Sequence, residues 1–163
     1  MSHLQTVEIE MPDLPAIRAA CKRLGWEFCE GQQTYQWYGS WVDDSPLPEA
    51  LFTPEEAERI KAMSRDERCA FMMTVLGKCE HAIKVPGSEW EIGLVRSPRT
   101  GAWLPLWDYY DAGMMQAMGS DGAPLLQAYG IEWTKAEATA AGYYVTEEVL
   151  ADGSVNVAME DYA

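Results

Sequence analysis

The stretch from residue 80 to residue 107 constrains the fold more than any other part of the chain. It contains three segments of strand length: residues 80–85, 89–96 and 101–107. Pro86-Gly87 separates the first two segments, and Arg99-Thr100-Gly101 separates the last two. Short connections of this composition are typical of tight turns between neighbouring strands. The sequence therefore predicts a three-stranded antiparallel meander at the centre of the chain.

The segment before the meander is predicted as strand, helix, strand, strand. Residues 4–10 alternate between apolar and polar side chains, which indicates a half-buried strand. Asp13 is a helix-capping residue, and Gly25 follows the last apolar position of the helix. Residues 26–29 and 34–42 are predicted as the next two strands. The second of these would place three aromatic side chains on one face: Tyr35, Trp37 and Trp41.

Two helices are predicted in the segment 47–77. Thr53 with Glu56 and Ser64 with Glu67 each have the spacing of a capping box, so each pair marks a helix start. Residues 53–78 carry five acids and five bases, whereas residues 119–163 carry eight acids and one base. The near-neutral helical pair is therefore interpreted as an insertion between strands of the sheet.

The C-terminal segment is predicted to repeat the order strand, helix, strand, strand. Residues 129–133 are predicted as a short strand after a helical stretch at 123–128, and Thr134 with Glu137 as a third capping box. Two final strands, at residues 143–150 and 154–159, would form a hairpin about Asp152-Gly153.

Together these elements predict an α+β fold in one domain that spans residues 1–163. We expect a mainly antiparallel sheet with helices on one face. Two ferredoxin-like βαββ units would flank the meander, with the helical pair inserted between strands.

Charge restricts the classes of partner. The chain has 26 acids and 12 bases, a formal net charge of −14. Because such a surface repels phosphate, we do not expect nucleic acid binding. A basic protein is the partner that this charge favours, although an acidic surface also serves solubility alone.

The aromatic residues offer one candidate ligand site. If the strand at 34–42 and the meander share a concave face, their rings with one arginine and one aspartate would suit a nucleotide-like or peptide ligand. The residues of this candidate site are Tyr35, Trp37, Trp41, Arg96, Trp103, Trp107 and Asp108. The alternative is that the rings fill a core beneath the inserted helices.

Cysteine and histidine offer a second candidate site. Cys79 and His81 are two residues apart, which places both on one face of a strand, and His3 would supply a third metal ligand. The same pair would be needed for a cysteine–histidine nucleophile. The alternative is a buried thiol and a locally hydrogen-bonded imidazole. No complete catalytic motif or phosphate-binding loop is present, and we expect no cofactor.

Location is predicted from the absence of two signals. The start MSHLQTVEIE lacks a basic region followed by an apolar run, and no stretch has the roughly 20 apolar residues of a membrane span. We therefore expect a cytoplasmic protein that does not contact the membrane, with its four cysteines reduced.

Several segments resemble a family of uncharacterised small proteins that begin with Met-Ser-His and occur in cyanobacteria, plastids, bacteria and phages. They are the opening MSHLQTVEIEMPDL, the helix end LGWE, GKCEHAIKVPG, WEIGLV, LPLWDYYDAG, and LLQAYGIEWTKAEATAAGYYV with DGSVNV. The resemblance leaves out the helical stretch near 47–76. The family is a domain of unknown function, so the resemblance implies a fold and a stand-alone cytosolic protein without implying a reaction. The candidate residues on these motifs are His3, Cys79, His81, Trp107 and Asp108.

Three functional hypotheses follow. The first is a non-enzymatic binding or regulatory protein, encoded by a phage, that acts on a host protein or captures a small ligand. The second is a metal- or thiol-dependent enzyme that uses Cys79 and His81. The third is a structural component that forms homo-oligomers through its aromatic surface.

Overall fold

The central element is a five-stranded antiparallel sheet. The structure, a computed structural model, describes residues 4–6, 10–41 and 46–161. The strands are β1 Leu4–Thr6, β2 Glu27–Cys29, β3 His81–Lys84, β4 Glu91–Arg96 and β5 Trp103–Asp108. Their order is β1-β5-β4-β3-β2, and all neighbours are antiparallel. The predicted meander is confirmed as β3, β4 and β5, and the α+β class is confirmed with it.

Three helices cover the first face of this sheet: α1 Leu14–Leu24, α4 Ala112–Met118 and α5 Ala123–Ala140. Helix α1 begins as predicted, because the Asp13 carboxylate accepts a hydrogen bond from the Ala16 amide at 3.1 Å. It ends at Gly25, whose φ of 72° is left-handed. The helices and the inward side chains of β3, β4 and β5 form the first core, which includes Ile17, Ile83 and Trp107.

The second face is covered by residues 34–41, which do not form the predicted strand. The backbone of Tyr35 donates to the carbonyl of Gly77, and the backbone of Glu91 donates to that of Gln36. Because one of these hydrogen bonds reaches the turn before β3 and the other reaches β4, the segment crosses the face instead of joining an edge. The prediction of a third N-terminal strand is therefore wrong, although Tyr35 does pack inward.

Helices α2 Pro54–Lys61 and α3 Arg65–Val75 lie beyond this segment, after a single 3-10 turn at Glu49–Leu51. Both predicted capping boxes are confirmed, each with hydrogen bonds in both directions. The two helices enclose a second core that includes Trp41, Ile60 and Met72. This core shares Trp37 and Leu51 with the cluster on the second face of the sheet, so the helices of the protein are not confined to one face. That the pair is an insertion stays a prediction.

Helix α5 is continuous through residues predicted as a strand and as a third capping box. Tyr129 and Trp133 are one helical turn apart, and their rings stack at 6.4 Å with an interplanar angle of 10°. Apolar residues at 129, 131 and 133 match a strand period, but Leu125, Ala128 and Tyr129 also match a buried helical stripe. The helical alternative prevails, so the second βαββ unit does not form.

The chain closes with the predicted hairpin, β6 Tyr143–Val149 and β7 Val155–Asp161. It forms a separate two-stranded sheet that packs against α5. Within the described part of the chain, no helix combines the length and apolar character needed to cross a bilayer.

Candidate binding surface

The aromatic residues predicted to share one concave face are divided between the two faces of the sheet. Tyr35 and Trp41 belong to the clusters of the second face and of α2 and α3, whereas Trp103 and Trp107 belong to the first core. All four are at most 3% exposed. The expected shared surface is therefore wrong, because residues 34–41 cross the sheet. Ligand binding by these residues and the half-buried Trp37 stays a prediction, with no common surface to support it.

Buried polar atoms accompany these rings. Among the described residues, the Tyr35 hydroxyl and the indole nitrogens of Trp41 and Trp107 have no hydrogen-bond partner. Burial raises the pKa of Tyr35 well above its ordinary value, so the phenol stays neutral. Asp108 is fully buried, and its Oδ1 accepts from the Tyr110 amide at 3.1 Å. This part of the predicted ligand site is thus interior.

Arg96 is the last residue of β4 and lies beside the turn that connects β4 to β5. Its guanidinium lies over the Trp103 ring, 4.1 Å from the centroid. One nitrogen donates to the Gly101 carbonyl at 3.1 Å, and Nε is 3.8 Å from the Glu80 carboxylate. These contacts link Arg96 to its own turn and to the neighbouring strand end, which is a structural role.

Cys79 and His81 face different clusters, contrary to the prediction. The chain bends at Glu80, immediately before β3, so the strand alternation does not extend back to Cys79. Cys79 packs on the second face of the sheet, whereas the His81 ring contacts Phe28 at 5.4 Å and Trp103 at 4.9 Å between centroids.

The chemistry of the two side chains is also separate. The Cys79 thiol donates to the Gln32 carbonyl at 3.1 Å, and burial, with Glu91 nearby, raises its pKa to about 11. A thiol with this pKa is protonated at neutral pH and is a poor nucleophile. Nδ1 of His81 accepts a hydrogen bond from the Gly31 amide at 2.9 Å, which places the proton of the neutral ring on Nε2.

An open cavity of about 560 Å³ nevertheless touches both residues. Its other lining residues are Gly31, Gln33, Thr34, Lys78 and Glu80. Within residues 10–41 and 46–161, no three His, Cys, Asp or Glu side chains are grouped so that they could hold a metal ion. His3 lies outside the described residues, so the three-ligand prediction is not tested.

The β6–β7 hairpin is the surface that the sequence reasoning did not single out. Residues 143–161 contain five acids and no lysine, arginine or histidine. Large apolar side chains remain exposed on it: Val149 is 69% exposed and Met159 is 53% exposed. The sequence feature that could have identified this surface is a single segment that has the alternation of a strand and charges of one sign only.

A network of ion pairs between partly buried side chains attaches the hairpin to helices α1 and α5. Arg23 of α1 donates to Glu132 of α5 at 2.8 Å and to Glu147 of β6 at 2.6 Å. Lys135 of α5 also pairs with Glu147. Hydrogen bonds from Arg23, then from Lys135, lower the pKa of Glu147 below its ordinary value. The negative charge of Glu147 is therefore compensated by Arg23 and Lys135 within the chain. The acids on the outer face of the hairpin have no such compensation from these two residues.

That outer face is formed by alternate residues of both strands. The register pairs Tyr144 with Glu160 and Glu148 with Asn156, so the two glutamates lie on the face opposite to Glu147. Asp161 lies at the end of β7. The outer face of the hairpin thus carries Glu148 and Glu160, and the opposite face carries an incompletely covered apolar row together with Glu147 and Asp161.

Comparisons with protein-family models, curated proteins and solved structures found no match. Membership in the Met-Ser-His family accordingly stays a prediction.

Proposed function

We propose that this protein is a non-enzymatic binding protein whose β6–β7 hairpin engages a basic partner protein. The observation that carries the proposal is the hairpin itself, a separate two-stranded sheet with five acids, no base and exposed apolar side chains. A surface with both features favours a partner that supplies positive charge and apolar contact together.

The overall charge supports a protein partner over a nucleic acid. The net charge of −14 repels phosphate groups, and no base lies on the hairpin to offset this repulsion. The partner would belong to the cell in which the chain acts. That the chain is phage-encoded and cytoplasmic is part of the same proposal.

A thiol-based reaction receives no comparable support. The Cys79 thiol has a raised pKa and donates its proton to a backbone carbonyl. The His81 ring contacts other residues, and its Nδ1 is already engaged by Gly31. We therefore place the functional surface on the hairpin.

The proposal is tested by affinity capture from cell lysate with a neutralised hairpin. The variant combines Glu148→Gln, Glu160→Gln and Asp161→Asn, which removes three charges and leaves the Glu147 network intact. The wild type should retain a basic protein at about 0.05 M salt and release it at about 0.5 M, where screening shortens electrostatic range. The neutralised variant should retain much less of the same protein at low salt.

A matched control separates local charge from net charge. Glu55→Gln, Asp66→Asn and Glu89→Gln remove three charges at exposed positions outside the hairpin. This variant should bind as the wild type does. Equal capture by the wild type and both variants would refute the hairpin as the site, and loss in both variants would mean that only net charge matters.

A further inference from the structure

The hairpin turn determines which backbone groups point outward. The Leu150 amide donates to the Ser154 carbonyl at 2.8 Å, and the Gly153 amide donates to Leu150 at 2.9 Å. Gly153 has a φ of 83°, so this is a three-residue turn with a glycine bulge. In an antiparallel pair, hydrogen-bonded and non-hydrogen-bonded positions alternate from there. Val149 and Val155 are consequently the first non-hydrogen-bonded pair.

This alternation gives β7 a regular outer edge. The N–H and C=O groups of Val155, Val157, Met159 and Asp161 point away from β6. Within the described part of the chain, no backbone–backbone hydrogen bond joins this edge to another element. The edge is therefore a template on which another extended segment can pair.

The two edges of the hairpin differ in how well they are protected against pairing with another strand. On β6 the inward side chain at the middle of the strand is Glu147, which is tied to Arg23 and Lys135. Inward-pointing charges are a common device against strand addition. The inward positions of β7 from Val155 to Met159 are all apolar, and that stretch contains no proline or lysine. The exposed Met159 continues this apolar row at the unprotected edge.

The two faces of the hairpin specify what an added strand needs. Its inward side chains would extend the apolar row of Val155, Val157 and Met159. Its outward side chains would lie beside Asn156, Ala158 and Glu160 of β7, with Glu148 of β6 one strand further away on the same face. An extended segment that alternates apolar and basic residues satisfies both requirements.

We infer that the partner adds such an alternating apolar and basic strand to the outer edge of β7. This inference rests on the proposed function and specifies how the same hairpin binds. A second copy of this chain fits less well, because each copy carries a net charge of −14 and the two copies repel one another.

The probes are two synthetic peptides of equal composition. One alternates lysine and valine over eight residues, and the other places four lysines before four valines. Both peptides can form the edge hydrogen bonds, but only the alternating peptide matches both faces. Strand addition therefore predicts that it binds the full-length protein at least about tenfold more tightly, measured by fluorescence anisotropy.

Two proline variants locate the edge. Val157→Pro removes one outward donor of β7, and Val145→Pro removes one outward donor of β6; neither position donates within the hairpin ladder. Val157→Pro should weaken binding of the alternating peptide at least about tenfold, whereas Val145→Pro should leave it nearly unchanged. If either variant fails to fold by circular dichroism, an alternating peptide N-methylated at every second residue should lose binding to the wild type.

The remaining outcomes overturn the inference in distinguishable ways. If both proline variants and both peptides behave alike while the neutralised hairpin loses binding, strand addition is wrong and the hairpin proposal stands. If the neutralised hairpin also binds normally, both proposals fail. If only Val145→Pro loses binding, the partner pairs with the edge of β6, and the inference that it pairs with β7 is wrong. Light scattering that shows a wild-type dimer abolished by Val157→Pro makes a second copy the occupant.

Discussion

At the scale of single residues, the path of segment 34–41 depends on a contact between a ring and a glycine. The Tyr35 ring lies on Gly93 of β4 so closely that a Cβ there would be 2.3 Å from Cδ1 of the ring. Gly93 has an ordinary φ, so the need for glycine at this position is steric. The absence of a side chain at one sheet position thus makes room for the aromatic residue that covers the second face.

We expect Gly93→Ala to lower the free energy of unfolding by about 2 kcal/mol, because the added methyl group would displace a buried ring. Gly130→Ala in α5 is the matched control, since a Cβ there meets nothing within 4 Å. That change should raise stability by up to about 1 kcal/mol through helix propensity. Urea unfolding measures both values, and a Gly93→Ala protein as stable as the wild type would contradict the described packing.

The hydroxyl of Tyr35 allows a second test at this scale. It is buried without a partner among the described residues, whereas the Tyr129 hydroxyl accepts from the Asp13 amide at 3.2 Å. Tyr35→Phe should therefore leave stability unchanged or slightly higher, and Tyr129→Phe should cost about 0.5–1 kcal/mol. Thermal unfolding of the two variants decides this, and a larger loss for Tyr35→Phe would mean that its hydroxyl has a partner.

At the scale of elements, the hairpin depends on its attachment. An isolated two-stranded sheet is marginally stable in water, so β6 and β7 need their contacts with α5 and the ion network of Glu147. The Glu147 side chain is 23% exposed, so its ion pairs are partly shielded from solvent.

Glu147→Gln should reduce stability by about 1 kcal/mol at pH 7. Because Arg23 and Lys135 lower the pKa of Glu147 in the folded state, its ionised form stabilises the protein above the unfolded pKa of about 4.3. This contribution is lost as the pH falls through the lower folded pKa, so the wild type and the variant should converge in acid.

Urea titrations between about pH 7 and pH 3 check this prediction. Glu148→Gln, on the outer face of the same strand, is the control and should change stability little at either end. A constant difference between the wild type and Glu147→Gln across the pH range would contradict the assigned ion pairs.

Elements defined by local chemistry were predictable from sequence. The boxes at Thr53 and Ser64 involve partners three residues away, and the turn at Gly153 needs only its own neighbours. Segments 34–42 and 129–133 were mispredicted because their apolar spacing suits more than one structure. Tertiary contacts with Gly93 and α1 decided between the alternatives, and these cannot be read from a window of sequence.

At the scale of the whole molecule, the net negative charge lies outside the near-neutral helical pair, and residues 119–163 carry half of it. Residues 119–163 carry eight acids and one base, and the base, Lys135, already pairs with Glu147. The sequence therefore favours a basic partner, which stays a prediction. It did not single out the hairpin, because the aromatic residues are more conspicuous and the acids of the hairpin are spread over two strands.

If the partner contacts the hairpin, site-specific photo-crosslinking in cells should capture it there. A benzophenone side chain replaces either Tyr144, 53% exposed on the outer face of the hairpin, or Tyr38, 46% exposed in an aromatic group with Trp90 and Tyr110. We expect a covalent product with a basic protein from position 144 and none from position 38. A product from position 38 alone would place the binding surface at the aromatic group and refute the hairpin as the site.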